Sequence, residues 1–190
     1  MKNLILVRHG EYHRQGSEEL TDSGIEAVAS LGKIIASKVR GSFYLASSGV
    51  KRADQSAEVL RKVLGVERAV EVLPCLDYQE RYLEEADADA IFRTIWRKQD
   101  IADNLILVTH VGVVNNFPNA YMKALNWGNI FAENVDKAWA VNLDHKKRTY
   151  EVLIPKYSNL DNSPKEHQFT KEDDLAWQRH LDPFNFKGRR

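Results

Sequence analysis

Four residues of this 190-residue chain have the types and the placement needed to act on a phosphate group: Arg8, His9, Arg52 and His110. Arginine presents planar, paired donors that match phosphate oxygens. Histidine can act as a nucleophile, a base or a metal ligand. Each residue alone is more often an ordinary surface or turn residue. Their shared position at the ends of apolar segments favours a common anion site that contains a nucleophile.

The elements that would position these residues alternate between strands and helices. In the first helix, apolar residues recur at intervals of three and four, which predicts that this face packs on a core; they are Ile25, Val28, Leu31, Ile34 and Ile35. We predict strands at 4–7, 43–48, 69–74 and 104–110, helices at 20–39, 50–64, 85–99 and 111–125, and two late strands, KAWAVNLD and TYEVLIP. Pro118 predicts a break or kink in the fourth helix.

This alternation predicts an α/β fold, a three-layer α/β/α sandwich with a mostly parallel sheet. The late strands, joined by a hairpin through His145, Lys146 and Lys147, should form an antiparallel edge. Ligands bind at the carboxyl ends of the strands in such sheets. The first strand ends in Arg8 and His9, the second leads through two serines to Lys51 and Arg52, and the fourth ends in Thr109 and His110. These residues should therefore converge.

Composition excludes several classes of function. The formal net charge is zero, which argues against bulk electrostatic binding to nucleic acid or to a membrane. Cys75 is the only cysteine, so neither an intrachain disulfide nor a cysteine-rich zinc site can form. The apolar run before Arg8 is too short for a secretory signal or a membrane span. We expect a soluble cytoplasmic protein, with one domain over residues 1–155 and an irregular tail at 156–190 that packs on it.

Four blocks in order along residues 4–115, LVRHGE, LTDSGIEA, SSGVKRADQSA and LILVTHVGVV, resemble the histidine phosphatase superfamily, which includes the cofactor-dependent phosphoglycerate mutases. The resemblance implies a phosphoglycerate mutase-like fold. It implies that His9 is the nucleophile, that Arg8 and Arg52 bind phosphate, and that His110 is the second pocket histidine. It also implies hydrolysis of a phosphomonoester through a phosphohistidine on His9, with no metal and no cofactor.

The sequence does not single out the residue that protonates the leaving group. In much of the family it is a glutamate soon after the third strand, where this chain has LPCLDYQERYLEE. Glu80 is the first candidate, Asp77 the second and Glu84 the third. Each of them could equally be a solvated loop carboxylate.

Three rival functions remain open from the sequence. Phosphatase is favoured over mutase-type phosphotransfer because the mutases of the family resemble longer chains with inserted segments that close the pocket. Without a working acid, the chain would be a catalytically weak phospho-ligand-binding or scaffold protein. The loop HGEYHRQGS is similar to the branch that contains a mitochondrial Ser/Thr protein phosphatase, so the substrate is either a phosphorylated small molecule or a phosphoprotein. His13 and Arg14 of that loop could extend the pocket.

Overall fold

A six-stranded sheet forms the centre of the computed structural model, which describes residues 1–80, 82–128, 131 and 134–155. The strands lie in the order β3-β2-β4-β1-β5-β6. The first four strands along the chain are parallel, whereas β5 runs antiparallel to β1 and β6, as predicted. Their bounds are β1 Asn3–Arg8, β2 Phe43–Ser47, β3 Glu71–Val72, β4 Asn104–Thr109, β5 Ala140–Asp144 and β6 Thr149–Leu153.

Helices cover both faces of the sheet, which confirms the three-layer sandwich. Because side chains alternate along a strand, Ile5 and Val7 face a core shared with the first two helices, and Leu4 and Leu6 face a core shared with the next two. The helices are α1 Asp22–Lys38, α2 Lys51–Val63, α3 Glu85–Lys98 and α4 Val111–Ala124, and a short 3-10 helix spans Pro74–Leu76. No helix in the described residues has the length and apolarity needed to cross a membrane.

One local prediction, for the first turn of α1, is wrong. Ile25 was expected to face the core, but it is 42% exposed. The buried position in the first turn of α1 belongs to Gly24, where a Cβ atom would come within 2.2 Å of the Glu11 carbonyl oxygen, so only glycine allows this loop to approach the helix. At Pro118, where a break or kink was predicted, α4 continues without a break and buries both Pro118 and Phe117.

The register of the strands aligns their carboxyl ends. Arg8 of β1 pairs with Thr109 of β4, and Ser47 of β2 pairs with Val108, one residue earlier. The residues that follow these three strands therefore emerge at one edge of the sheet. The third strand is shorter than the predicted 69–74 and ends before Pro74 starts the 3-10 helix. The predicted tail at 156–190 lies outside the described residues.

Candidate active site

His9, Arg52 and His110 are in contact at the edge of the sheet where β1, β2 and β4 end. The Arg52 Nε donates to His9 Nε2 at 3.2 Å, and its NH2 group lies 3.4 Å from His110 Nδ1. The ring centroids of His9 and His110 are 5.2 Å apart. The three side chains are almost completely buried, although Arg52 belongs to the first turn of α2 and His110 is the N-cap residue of α4.

Hydrogen bonds define the proton positions of His9. Its Nδ1 lies 2.8 Å from the Gly10 carbonyl oxygen, which can only accept, so Nδ1 carries the proton. The Nε2 lone pair is therefore free to accept from Arg52. Burial, assisted by the neighbouring His110 and by the positive charges of Arg52 and Arg8, lowers the pKa of His9 to about 3, against the opposing effect of the bond to Gly10. The ring is a neutral imidazole with its lone pair on Nε2, the form that can attack phosphorus.

His110 adopts the opposite tautomer. The Arg52 guanidinium can only donate, so His110 Nδ1 accepts from it and Nε2 carries the proton. This Nε2 lies 2.9 Å from the Ser48 hydroxyl and 3.6 Å from Asp77 Oδ1. Burial, followed by the charge of Arg52, lowers the pKa of His110 to about 4, although Asp77 opposes the shift. His110 is thus a neutral donor with its N–H at the pocket.

Arg8 lies at the same edge but is held by a different segment. Its NH1 group donates to the Val135 carbonyl oxygen at 2.9 Å and lies 3.7 Å from Asp136. Its Nε is buried and has no hydrogen-bond partner within the described part of the chain. A buried N–H group that lacks a partner costs about 1–3 kcal/mol. Arg8 therefore has a donor that no protein group in this part of the chain satisfies.

Helix ends add positive potential to the pocket. Val50 and His110 are the N-cap residues of α2 and α4, and neither makes a side-chain capping bond within the described residues. The first N–H groups of a helix and the positive end of its dipole favour an anion. Both helices start directly beside Arg52 or His110, so the pocket combines two helix ends with the two arginines.

The segment after the 3-10 helix supplies a carboxylate and an amide. Gln79 accepts from Arg52 NH2 at 2.6 Å through its Oε1, and its Nε2 donates to Asp77 Oδ1 at 2.9 Å. Asp77 is therefore the candidate acid that the structure brings against the pocket. Glu80 and Glu84 are exposed, as is Asp77, but in the described residues the Glu80 and Glu84 side chains make no hydrogen bond to Arg52 or the pocket histidines.

The position of Glu80 depends on a glycine in α4. A Cβ atom at Gly112 would come within 2.0 Å of the Glu80 carbonyl oxygen, so any other residue would displace the loop. The Glu80 backbone thus lies against the first turn of α4, two residues from His110. Its assignment as the acid stays a prediction.

Three further residues, Tyr12, Glu18 and Gln79, lie at the pocket although the sequence did not indicate them. The Tyr12 ring meets His9 edge-on at 5.3 Å, and the Arg52 guanidinium lies 4.7 Å from its centroid. Arg52 NH1 donates to Glu18 Oε2 at 3.0 Å. These residues come from loops, where sequence spacing does not indicate side-chain direction. His13 and Arg14, which the sequence allows either to extend the pocket or to form an ordinary polar loop, are exposed.

A metal site is not evident in the described residues, which contain no group of three histidine, cysteine, aspartate or glutamate side chains placed to hold an ion. Metal-independent catalysis stays a prediction.

Solved structures with the same fold belong to the histidine phosphatase superfamily. A structure from Agrobacterium tumefaciens, provisionally described as the phosphohistidine phosphatase SixA, has a TM-score of 0.62 at 13% identity, covering 81% of this chain and 99% of that chain. The protein histidine phosphatase SixA complexed with tungstate has a TM-score of 0.59 at 18% identity, with coverages of 80% and 97%. A mycobacterial glucosyl-3-phosphoglycerate phosphatase complexed with VO3 has a TM-score of 0.54 at 12% identity, with coverages of 83% and 99%.

No protein-family model and no curated protein sequence matches the chain. At the identities above, the similarity concerns the fold. It confirms the phosphoglycerate mutase-like architecture that the ordered sequence blocks imply.

Proposed function

We propose that this chain is a phosphatase that hydrolyses phosphomonoesters through a phosphohistidine on Nε2 of His9. The observation that carries the proposal is the state of His9: it is buried and neutral, its Nδ1 proton is held by the Gly10 carbonyl, and its Nε2 lone pair faces Arg52. The complexes of similarly folded proteins with tungstate and VO3 support an oxyanion site in this fold.

The reaction follows from the donors around His9. A substrate phosphoryl group would take hydrogen bonds from Arg52, from the guanidinium of Arg8 and from the N–H of His110. The Nε2 lone pair attacks phosphorus, the N–P bond forms, and the P–O bond to the leaving group breaks. Before this attack, Arg52 Nε exchanges its bond to Nε2 for one to a phosphate oxygen, which frees the lone pair. Donors held in place before the reaction stabilise the charge on the equatorial oxygens.

A carboxylic acid takes part in both the transfer of the phosphoryl group to His9 and the hydrolysis of the phosphohistidine. It gives its proton to the leaving oxygen, then accepts a proton from the water that attacks the phosphohistidine, and inorganic phosphate leaves. Of the three candidates, we propose Asp77, because its Oδ1 lies 3.6 Å from His110 Nε2. Glu80 stays the alternative, since its backbone also lies beside the start of α4.

Asp77→Asn is expected to lower kcat/KM for an alkyl phosphate by roughly 100-fold or more, the usual contribution of a general acid. It should lower kcat/KM for p-nitrophenyl phosphate less than about tenfold, because that leaving group needs little protonation. Glu80→Gln, on the same loop, is the matched control. It should lower kcat/KM only slightly, and by a similar factor for both substrates. If Glu80→Gln shows the leaving-group-dependent loss and Asp77→Asn does not, Glu80 is the acid.

The two pocket histidines are expected to stay neutral as the free protein is brought from about pH 7 to about pH 5, where an ordinary histidine becomes mostly protonated. The reason is the burial that lowers the pKa of His9 to about 3 and that of His110 to about 4. Nitrogen-15 NMR of the imidazoles measures this directly, with the chain unfolded in urea as the control. Protonation of His9 with a midpoint near 6.5 would contradict the described environment.

The substrate class is tested with a panel of phosphorylated small molecules and phosphopeptides. Turnover of any member, abolished by vanadate, supports the phosphatase proposal, and the best substrate decides between the small-molecule and phosphoprotein alternatives. Tight oxyanion binding without turnover of any member would favour the binding or scaffold protein. Cytoplasmic location and the expected lack of nucleic-acid and membrane partners stay predictions.

A further inference from the structure

The Glu18 carboxylate accepts a hydrogen bond from Arg52, the arginine that binds phosphate in the proposed reaction. Its Oε2 accepts from Arg52 NH1 at 3.0 Å, while Nε of the same guanidinium donates to His9. Gln79 takes the NH2 group at 2.6 Å, so a protein acceptor faces all three nitrogens of Arg52. A phosphate that takes the Nε donor from His9 would therefore share this guanidinium with the Glu18 carboxylate, which is the charged acceptor among the three.

We infer that the Glu18 carboxylate competes with phosphate for Arg52. It thereby weakens the binding of phosphate and promotes the release of phosphate after turnover. This inference rests on the proposed function. A carboxylate held on the guanidinium of a buried arginine repels a phosphate dianion on the same guanidinium. Arg52 is only 4% exposed, so this repulsion is screened less than it would be on the surface.

The loop that carries Glu18 is held by contacts that do not involve the Glu18 side chain. The His13 N–H donates to the Glu19 carbonyl oxygen at 2.9 Å, and Tyr12 forms a backbone bridge with Leu20. Glu19 makes its own ion pair, at 2.8 Å, with Lys51. The Glu18 side chain is 52% exposed, so it can rotate into solvent without breaking these contacts.

The backbone at Glu18 supports a specific role for this position. Its φ angle is +53°, in the left-handed region that a residue with a Cβ atom adopts at an energetic cost. At this position a half-exposed glutamate side chain pairs with a buried arginine. Glu18 pairs with Arg52 and not with a pocket histidine, so its role differs from that of the acid proposed at Asp77.

Glu18→Gln in the full chain tests the inference by a binding measurement that does not depend on turnover. Isothermal titration with vanadate and with inorganic phosphate should show roughly tenfold tighter binding than the wild type. With an assayable substrate, inhibition by phosphate should strengthen by the same factor. Glu19→Gln is the matched control, since it removes the same charge from the neighbouring residue that pairs with Lys51 rather than Arg52, and it should leave affinity within about twofold of the wild type.

The outcomes separate this inference from the proposed function. If the wild type binds vanadate and Glu18→Gln binds it equally or more weakly, Glu18 is not a competitor and the inference is wrong while the oxyanion site stands. An equal gain in Glu18→Gln and Glu19→Gln would also overturn it, because the effect would then be one of overall charge. If neither the wild type nor any variant binds vanadate or phosphate, the proposed phosphate site itself fails.

Discussion

His9→Ala is expected to lower phosphatase turnover by about 1000-fold or more, because it removes the nucleophile on which the proposed covalent intermediate forms. The rate is measured with the best substrate from the panel. The variant should still bind vanadate, since Arg8, Arg52 and His110 remain. His13→Ala is the control, as His13 is an exposed histidine of the adjoining loop. Turnover by His9→Ala close to that of the wild type would mean that another residue attacks phosphorus.

Arg52→Ala is expected to weaken vanadate binding by roughly 100- to 1000-fold, the usual effect of removing one donor from an oxyanion site. The guanidinium contacts His9, His110 and Tyr12 at once, so no other side chain can replace it. Calorimetry gives the affinity. The rise in melting temperature with vanadate gives a second readout, because a ligand that binds only the folded state stabilises that state.

Arg61→Ala is the matched control for this variant. Arg61 is on the same helix as Arg52, but it pairs with Glu58 and donates to the Val66 carbonyl oxygen. It should reduce stability modestly and leave vanadate binding unchanged. An unchanged vanadate affinity in Arg52→Ala would remove Arg52 from the oxyanion site.

The part of the site that could be predicted from the sequence is the part that strands position. Arg8 is the last residue of β1, His9 and His110 directly follow β1 and β4, and the parallel pairing of these strands aligns their ends. Arg52 follows the end of β2 by five residues and begins a helix, so its approach to the same edge also follows from the order of elements. For such residues, the order of the strands and helices and the parallel pairing of the strands are enough to predict that they meet.

Side chains on loops could not be placed in this way. Glu18, Gln79 and Tyr12 reach Arg52 because of local backbone angles and contacts that spacing does not encode. The choice between Asp77 and Glu80 depends on how the loop after the 3-10 helix packs on Gly112, a contact between segments more than 30 residues apart in the sequence. Ile25 was misplaced for the same reason, since the Glu11 loop approaches α1 at Gly24.

The central claim is that His9 Nε2 carries the phosphoryl group, and trapping the phosphoenzyme tests it most directly. Rapid quenching of the wild type during turnover of a phosphorus-32-labelled substrate should yield labelled protein that is stable in base and labile in acid. Mass spectrometry and phosphorus NMR should place the phosphate on Nε2 of His9, because the Gly10 carbonyl holds the Nδ1 proton. Turnover without a labelled protein, or with the label on a residue other than His9, would contradict the account.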